Sequence, residues 1–167
     1  MNMLSNGSFE GNWTDAADFP GHIPAGWEVR YNHGSAWPNP YGQPYKNGEA
    51  VKKHKSNLPA DEQGVFIWDG EWGYKVFGGG TKSFWFQMSQ LVDMAAGTYR
   101  LTTPVWVDHY HWSGGKDFNV DPNQAQIAVW VNGAAARPWT SLKAGQRHDV
   151  VTEWAHGGGA AVIEIHL

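Results

Sequence analysis

Apolar and polar residues alternate with a period of two along much of the chain. Tyr99, Leu101, Thr103, Val105 and Val107 alternate with Arg100, Thr102, Pro104, Trp106 and Asp108. Ile127, Val129 and Val131 alternate with Gln126, Ala128 and Trp130, and Ala161, Ile163, Ile165 and Leu167 with Val162, Glu164 and His166. Each run predicts a strand with one face in the core. Further strands are expected around Trp27–Tyr31, Gly73–Phe77, Phe84–Val92 and Asp149–Trp154. Ala95-Ala96-Gly97, Val131-Asn132-Gly133 and Gly157-Gly158-Gly159 predict turns. No stretch carries a 3.6-residue period, so helix content is expected to be very low and both chain ends to lie in strands. Gly78-Gly79-Gly80 precedes a predicted strand rather than a helix, which makes it a turn and not a phosphate loop. From Asn32 to Gln63 the chain is rich in Pro, Gly, Asn and Lys, and a long loop is expected there. Strands at short spacing with no helices between them predict an all-β fold, an antiparallel two-sheet β-sandwich. The length fits one domain over residues 1–167.

The alternation also sorts the large aromatic residues. Trp106 and Trp130 fall opposite the branched aliphatics of their strands. With Phe84, Phe86, Met88 and Val92 facing inward, Trp85 and Gln87 face outward. Trp85, Trp106 and Trp130 would then share solvent-side positions with Gln87, Arg100 and Asp108. The chain holds eleven tryptophans, six tyrosines and seven phenylalanines in 167 residues, more than a core of this size requires. An indole offers a flat apolar face and one N–H donor, which suits a polyhydroxylated ring. The C–H face of the ring stacks on tryptophan while its hydroxyls meet Asp, Gln and Arg. The competing reading is a second apolar layer, covered by the long loop or by another subunit.

Charge narrows the ligand. The net charge is −4, with 12 Lys+Arg along the whole chain, which argues against binding phosphate backbones. Lys52-Lys53-His54-Lys55 is too short to change that and reads as a solvated loop. No run approaches the length of a membrane-spanning helix. Met1-Asn2-Met3-Leu4 shows neither the basic region nor the apolar stretch of a secretion signal. Cysteine is absent, which removes disulfides, thiolate metal sites and a cysteine nucleophile.

Three arrangements bear on catalysis or metals. Asp69 and Glu71 flank Gly70 between Trp68 and Trp72, and two carboxylates are what a glycosidase needs across the scissile bond. A tight Asp-Gly turn with aromatic flanks accounts for the same residues. His109 and His111 in Asp108-His109-Tyr110-His111 have the spacing of two metal ligands on a strand end. They resemble the metal motif of cupins, but Ser113-Gly114-Gly115 stands where a glutamate would follow, which favours imidazoles lining a loop. No serine sits in a nucleophile-elbow sequence.

Leu4-Ser5-Asn6-Gly7-Ser8-Phe9-Glu10, followed by Ile23-Pro24-Ala25-Gly26-Trp27, resembles the opening of galactose-binding-like jelly rolls. Carbohydrate-binding modules of families four, nine, sixteen and twenty-two begin this way. Phe66-Ile67-Trp68-Asp69-Gly70, Tyr74-Lys75-Val76-Phe77 and Ala96-Gly97-Thr98-Tyr99-Arg100-Leu101 are similar to the same group and to domains of bacteria and phages. The resemblance implies a two-sheet jelly roll with a glycan site on the concave sheet or at the loop rim. It also implies a structural calcium, for which Glu10 matches the glutamate of the opening motif. The aspartate pair that usually completes that site has no counterpart in Glu164-Ile165-His166-Leu167. A missing closing strand would leave a sheet edge open to self-association.

The expected function is therefore non-catalytic binding of a polysaccharide or oligosaccharide, with no nucleic-acid or membrane partner. The expected setting is a larger extracellular or phage-particle protein. The candidate ligand residues are Trp85, Gln87, Arg100, Trp106, Asp108 and Trp130 on the sheet, with Trp68, Trp72 and Trp112 at the rim. A phage or cell-surface module using these aromatics at a subunit interface is the second hypothesis. A glycan-cleaving enzyme is the third.

Overall fold

Strands dominate the chain, as the period-two runs require. In order they are β1 (Trp13–Asp15), β2 (His22–Pro24), β3 (Glu28–Asn32), β4 (Glu49–His54), β5 (Trp72–Phe77), β6 (Trp85–Trp106), β7 (Tyr110–His111), β8 (Gly115–Lys116), β9 (Gln126–Val131), β10 (Ala134–Ser141) and β11 (Arg147–His166). The computed structural model describes residues 3–32, 49–77, 84–108, 110–111, 115–116 and 125–167, with backbone alone at 32, 110, 111, 115 and 116. Two compact units emerge, Met1–Gln90 and Leu91–Leu167, the division falling within β6. Every pairing with a resolved register is antiparallel.

In the first unit β1 pairs with β2, β4 with β5, and β3 with the start of β6, where Glu28 faces Ser89 and Asn32 faces Trp85. Phe19, Trp27, Ala50, Ile67, Phe86 and Met88 are buried. The opening motif wires itself to the second motif rather than forming a strand, which corrects the expectation for the N-terminal end. The Asn6 carbonyl accepts from Phe9 N–H and Trp27 Nε1–H, the Asn6 amide nitrogen donates to the Ala25 carbonyl, and Asn6 Oδ1 accepts from Gly11 N–H at 2.7 Å. Gln90 fastens the motif to β6. Its amide donates to the carbonyls of Ser5 and Gly26, and its oxygen accepts from Ser5 N–H at 2.7 Å.

The stretch expected to be irregular, where described, is ordered. Residues 49–54 are strand, Lys55–Asn57 is a 3-10 turn, and α1 (Ala60–Phe66) is a helix. Lys52, Lys53 and His54 thus lie in a paired strand, not a loop. The helix follows Pro59, whose ring fixes the chain direction at a helix start, and Asp61 and Glu62 complement the positive end of its dipole. At seven residues, with none buried, it leaves no periodic signature. Residues 33–48 and Gly78-Gly79-Gly80 lie outside the described residues.

In the second unit the hydrogen-bonded order is β10-β9-β11-β6. Ile127, Val129, Ala161, Ile163 and Ile165 are buried, as the alternation predicts, but Ala128 and His166, which it sets on the opposite face, are buried as well, so these strands are covered on both sides there. Asn132 and Gly133 both have positive φ, 52° and 76°, which makes the β9–β10 connection the two-residue hairpin turn expected there. The other two predicted turns are not turns: Ala95-Ala96-Gly97 lies inside β6 and Gly157-Gly158-Gly159 inside β11. Glycine serves close approach instead. Gly158 sits at φ 97°, and a Cβ there would come within 3.3 Å of Ala96 N, so these small residues let two long neighbouring strands run past each other.

Candidate functional site

The first unit gathers aromatic rings around the opening motif. Phe9 packs against Trp13, Trp27 and Tyr74, with ring centroids 5.9, 6.4 and 5.8 Å away, and Tyr74 meets Phe86 at 5.6 Å. Their polar tips are used internally. Trp13 Nε1 donates to the Phe9 carbonyl, Tyr31 Oη to the Phe77 carbonyl and Tyr74 Oη to the His22 carbonyl at 2.6 Å. Burial pushes the Tyr74 phenol above the usual tyrosine range, so it stays a neutral donor.

Of the rim candidates in this unit, Trp68 and Trp72 are half-buried. Trp72 is already engaged, with Lys52 Nζ 5.7 Å from its ring centre and the His54 ring edge-on at 4.7 Å. Asp69 and Glu71 are exposed on either side of Gly70, whose φ of 69° makes this the tight turn rather than a strand face. Glu71 also reaches Lys55 at 4.0 Å. Glu10 Oε1 accepts from Glu71 N–H and Trp72 N–H, both at 2.9 Å, and a side chain on Gly70 would collide with its carboxylate. The opening-motif glutamate is thus a clamp on this turn, and its Oε1 is directed at N–H donors rather than at a shared oxygen cage.

Trp85 is half-buried, and Gln87 is 6% exposed. The outward placement of Gln87 is therefore corrected. Ser89 and Gln90 are buried as well, so this part of β6 is covered on both faces and the alternation loses its meaning there.

In the second unit Arg100 and Asp108 are exposed, and Arg100 lies 3.8 Å from Glu153. Trp106 and Trp130 are half-buried rather than open to solvent. Trp112 and His109 lie outside the described residues, and His111 is described by backbone alone. Trp130 belongs to a group that alternation by itself does not reveal. The register sets Glu164 opposite Trp130, and His166 opposite Ala128. The His166 ring lies 5.3 Å from Trp130 and 6.1 Å from Trp139, with Glu164 Oε2 3.7 Å from its Nε2. Burial lowers the His166 pKa, and the Glu164 carboxylate opposes that shift. Trp139, Glu164 and His166 escaped the sequence reading because β10 and β11 join the group only through pairing and a bulged register. The signal available was the Glu164-Ile165-His166 alternation, which places both polar residues on one strand face.

Trp154 and His156, also unassigned from sequence, stand on β11. Tyr99 stacks on Trp154 at 6.0 Å and 27°, and His156 meets Tyr99 edge-on at 6.5 Å. The indole N–H groups of Trp130 and Trp154 are buried with no hydrogen-bond partner among the described residues. Set against protein-family models, curated proteins and solved structures, the chain gives no match to any of them.

Proposed function

We propose that this chain is a non-catalytic carbohydrate-binding module of the jelly-roll, galactose-binding-like kind, working as part of a larger extracellular or phage-particle protein. The observation that carries this reading is the group on the second unit's sheet, where the half-buried indole of Trp130 and the indole of Trp139 lie 5.3 and 6.1 Å from the buried imidazole of His166, with the Glu164 carboxylate 3.7 Å from its Nε2. Apolar ring faces beside a carboxylate and an imidazole are the two kinds of surface a pyranose presents partners for: C–H faces and hydroxyls. Binding of this kind rests on stacking and hydrogen bonds, so salt affects it little. No step of this function runs through a metal. A structural calcium at Glu10 belongs to the same proposal and would have to draw on the carboxylate that now clamps the Gly70 turn.

The test titrates soluble oligosaccharides against wild type, Trp130→Ala and Trp139→Ala, and analyses the same tubes for cleavage products. About 80 Å² of indole face covered by a sugar gives roughly 2 kcal/mol, so either variant should bind about thirtyfold more weakly. Binding indifferent to both sinks the stacking reading. Products that vanish with Asp69→Asn or Glu71→Gln would replace the binder with an enzyme.

A second reading, a module that buries its surface against another subunit, is favoured by one observation. Leu91 on β6 is 71% exposed and Val162 on β11 is 37% exposed. Sedimentation analysis separates the two: an obligate oligomer that dissociates on Leu91→Lys supports the interface module.

A further inference from the structure

The second unit holds a cavity of about 250 Å³ whose lining includes Asn132, Ala134, Ala135, Ala136, Trp154 and His156. We propose that it is a separate binding cup for one neutral pyranose ring, the terminal residue of a glycan or a free monosaccharide, stacked on Trp154. It is distinct from the Trp130–Trp139–His166 group and does not depend on that group binding sugar.

Size sets the first limit. Cavities that enclose drug-sized ligands run from about 300 to 1,000 Å³, so this one takes a single small ring and not an extended chain. Three successive alanines of β10 belong to the lining, and they carry the smallest side chains that a strand can hold without glycine's flexibility. Any larger residue there would fill the space that they leave.

Trp154, also in the lining, is part of a prearranged aromatic pair. Tyr99 stacks against Trp154, and the Tyr99 hydroxyl is itself tied to the Ala95 carbonyl at 2.7 Å. The indole thus arrives with its orientation fixed, which removes ordering cost from binding. Its N–H is buried with no hydrogen-bond partner among the described residues, so it is the ring face and not the N–H that the cavity offers a ligand.

The rim supplies one donor and one acceptor and no charge. Asn132 Oδ1 accepts from Val162 N–H at 2.8 Å, which fixes the amide and leaves its NH₂ as the group with hydrogens to give. His156 Nε2 lies 3.2 Å from the Gly159 carbonyl, which only accepts, so Nε2 is the donor of that bond and Nδ1 is the ring nitrogen left to meet a ligand. A hydroxyl both accepts and donates, and so matches this pair. Among the described residues no Lys, Arg, Asp or Glu lines the cavity, so none of them compensates a uronate or a sialic-acid carboxylate.

The experiment follows indole N–H resonances in ¹H–¹⁵N spectra of the full chain, with the Trp154 signal assigned by its disappearance in Trp154→Phe. The probes are methyl galactoside, methyl glucoside, methyl mannoside and methyl glucuronoside, each taken to roughly 50 mM, beyond the millimolar range where a lone small ring binds. The expected result is a saturable shift of the Trp154 signal with at least one neutral glycoside and about tenfold weaker response to the glucuronoside. Ala135→Leu, at an exposed position that tolerates the change, should abolish the shift, and Trp139→Ala should leave it intact. The proposal is overturned if no neutral glycoside moves the Trp154 signal, if Ala135→Leu responds like wild type, or if the glucuronoside binds as well as the neutral sugars. Trp139→Ala abolishing the shift would also overturn it, because the cup would then be no more than an extension of the other group. An intact Trp154 response in a chain that binds no oligosaccharide sustains the cup while removing the proposed sheet-face function.

Discussion

The two units spend their aromatic residues differently. In the first, indole and phenol tips are tied to backbone carbonyls: Trp13 to Phe9, Trp27 to Asn6, Tyr31 to Phe77 and Tyr74 to His22. In the second, the Tyr99 phenol is tied to the Ala95 carbonyl in the same way, but the indole N–H groups of Trp130 and Trp154 are buried with no hydrogen-bond partner among the described residues. A buried donor left unmade costs about 1–3 kcal/mol, so Trp130 and Trp154 carry a cost that Trp13 and Trp27 avoid. Tied rings hold a fold together. Of the untied indoles, Trp130 lies beside the His166 imidazole and Trp154 at the lining of a cavity.

The largest expected effect probes the tied side. Phe86 is fully buried, in ring contact with Tyr31 and Tyr74. Phe86→Ala should cost about 3–5 kcal/mol in denaturant unfolding, the usual range for a core phenylalanine. A cost below 1 kcal/mol would mean that this cluster is not a core.

A matched pair of substitutions tests the contrast directly. Trp27→Phe removes a 7% exposed indole and its bond to the Asn6 carbonyl, and should destabilise by roughly 2 kcal/mol. Trp154→Phe removes an N–H that has no hydrogen-bond partner among the described residues, so its cost should stay within about 1 kcal/mol. Equal costs from thermal or denaturant melts would erase the distinction between the units.

Glu10 gives a smaller effect. Glu10→Ala leaves Glu71 N–H and Trp72 N–H without their acceptor at a solvent-accessible turn, for about 1 kcal/mol. If the clamp is its whole role, chelator and millimolar calcium leave the wild-type Tm unchanged. A rise with calcium that Glu10→Ala abolishes assigns a structural metal to it, because an ion bound only to the folded state stabilises by mass action.

The smallest effect concerns pH. Burial lowers the His166 pKa in the folded chain, so the unfolded chain takes up the proton first as pH falls. The resulting stability is present above the ordinary histidine pKa of about 6.5 and is lost as pH drops below it. His166→Gln should flatten that part of the Tm-against-pH curve. A curve of unchanged slope would show that Glu164 cancels the burial effect.

How much of this was legible in the chain varies by region. Val131-Asn132-Gly133 was readable as a hairpin turn because the φ requirement is local. Gly157-Gly158-Gly159 and Ala95-Ala96-Gly97 misled because small residues serve close strand approach as well as turns, and only the neighbouring strand decides which. Gln87 misled because alternation assumes one covered face, whereas this stretch of β6 is covered on both.

By itself the sequence determined that the chain is mostly β, where most strands run, and that Ile127, Val129, Ala161, Ile163 and Ile165 turn inward. Those properties follow from a two-residue period and from residues with fixed backbone preferences, both of which are local. The burial of Ala128 and His166 on the other face was decided by the fold. Tertiary structure alone decided which tryptophans are tied and which are not, since a hydrogen-bond partner 21 residues away, as for Trp27 and Asn6, is a matter of folding and not of neighbourhood. It likewise decided the His166 group and the Trp154 cavity. Strand register and a bulge between Ala135 and Arg137 set which side chains meet, and neither is written in the composition of any one strand.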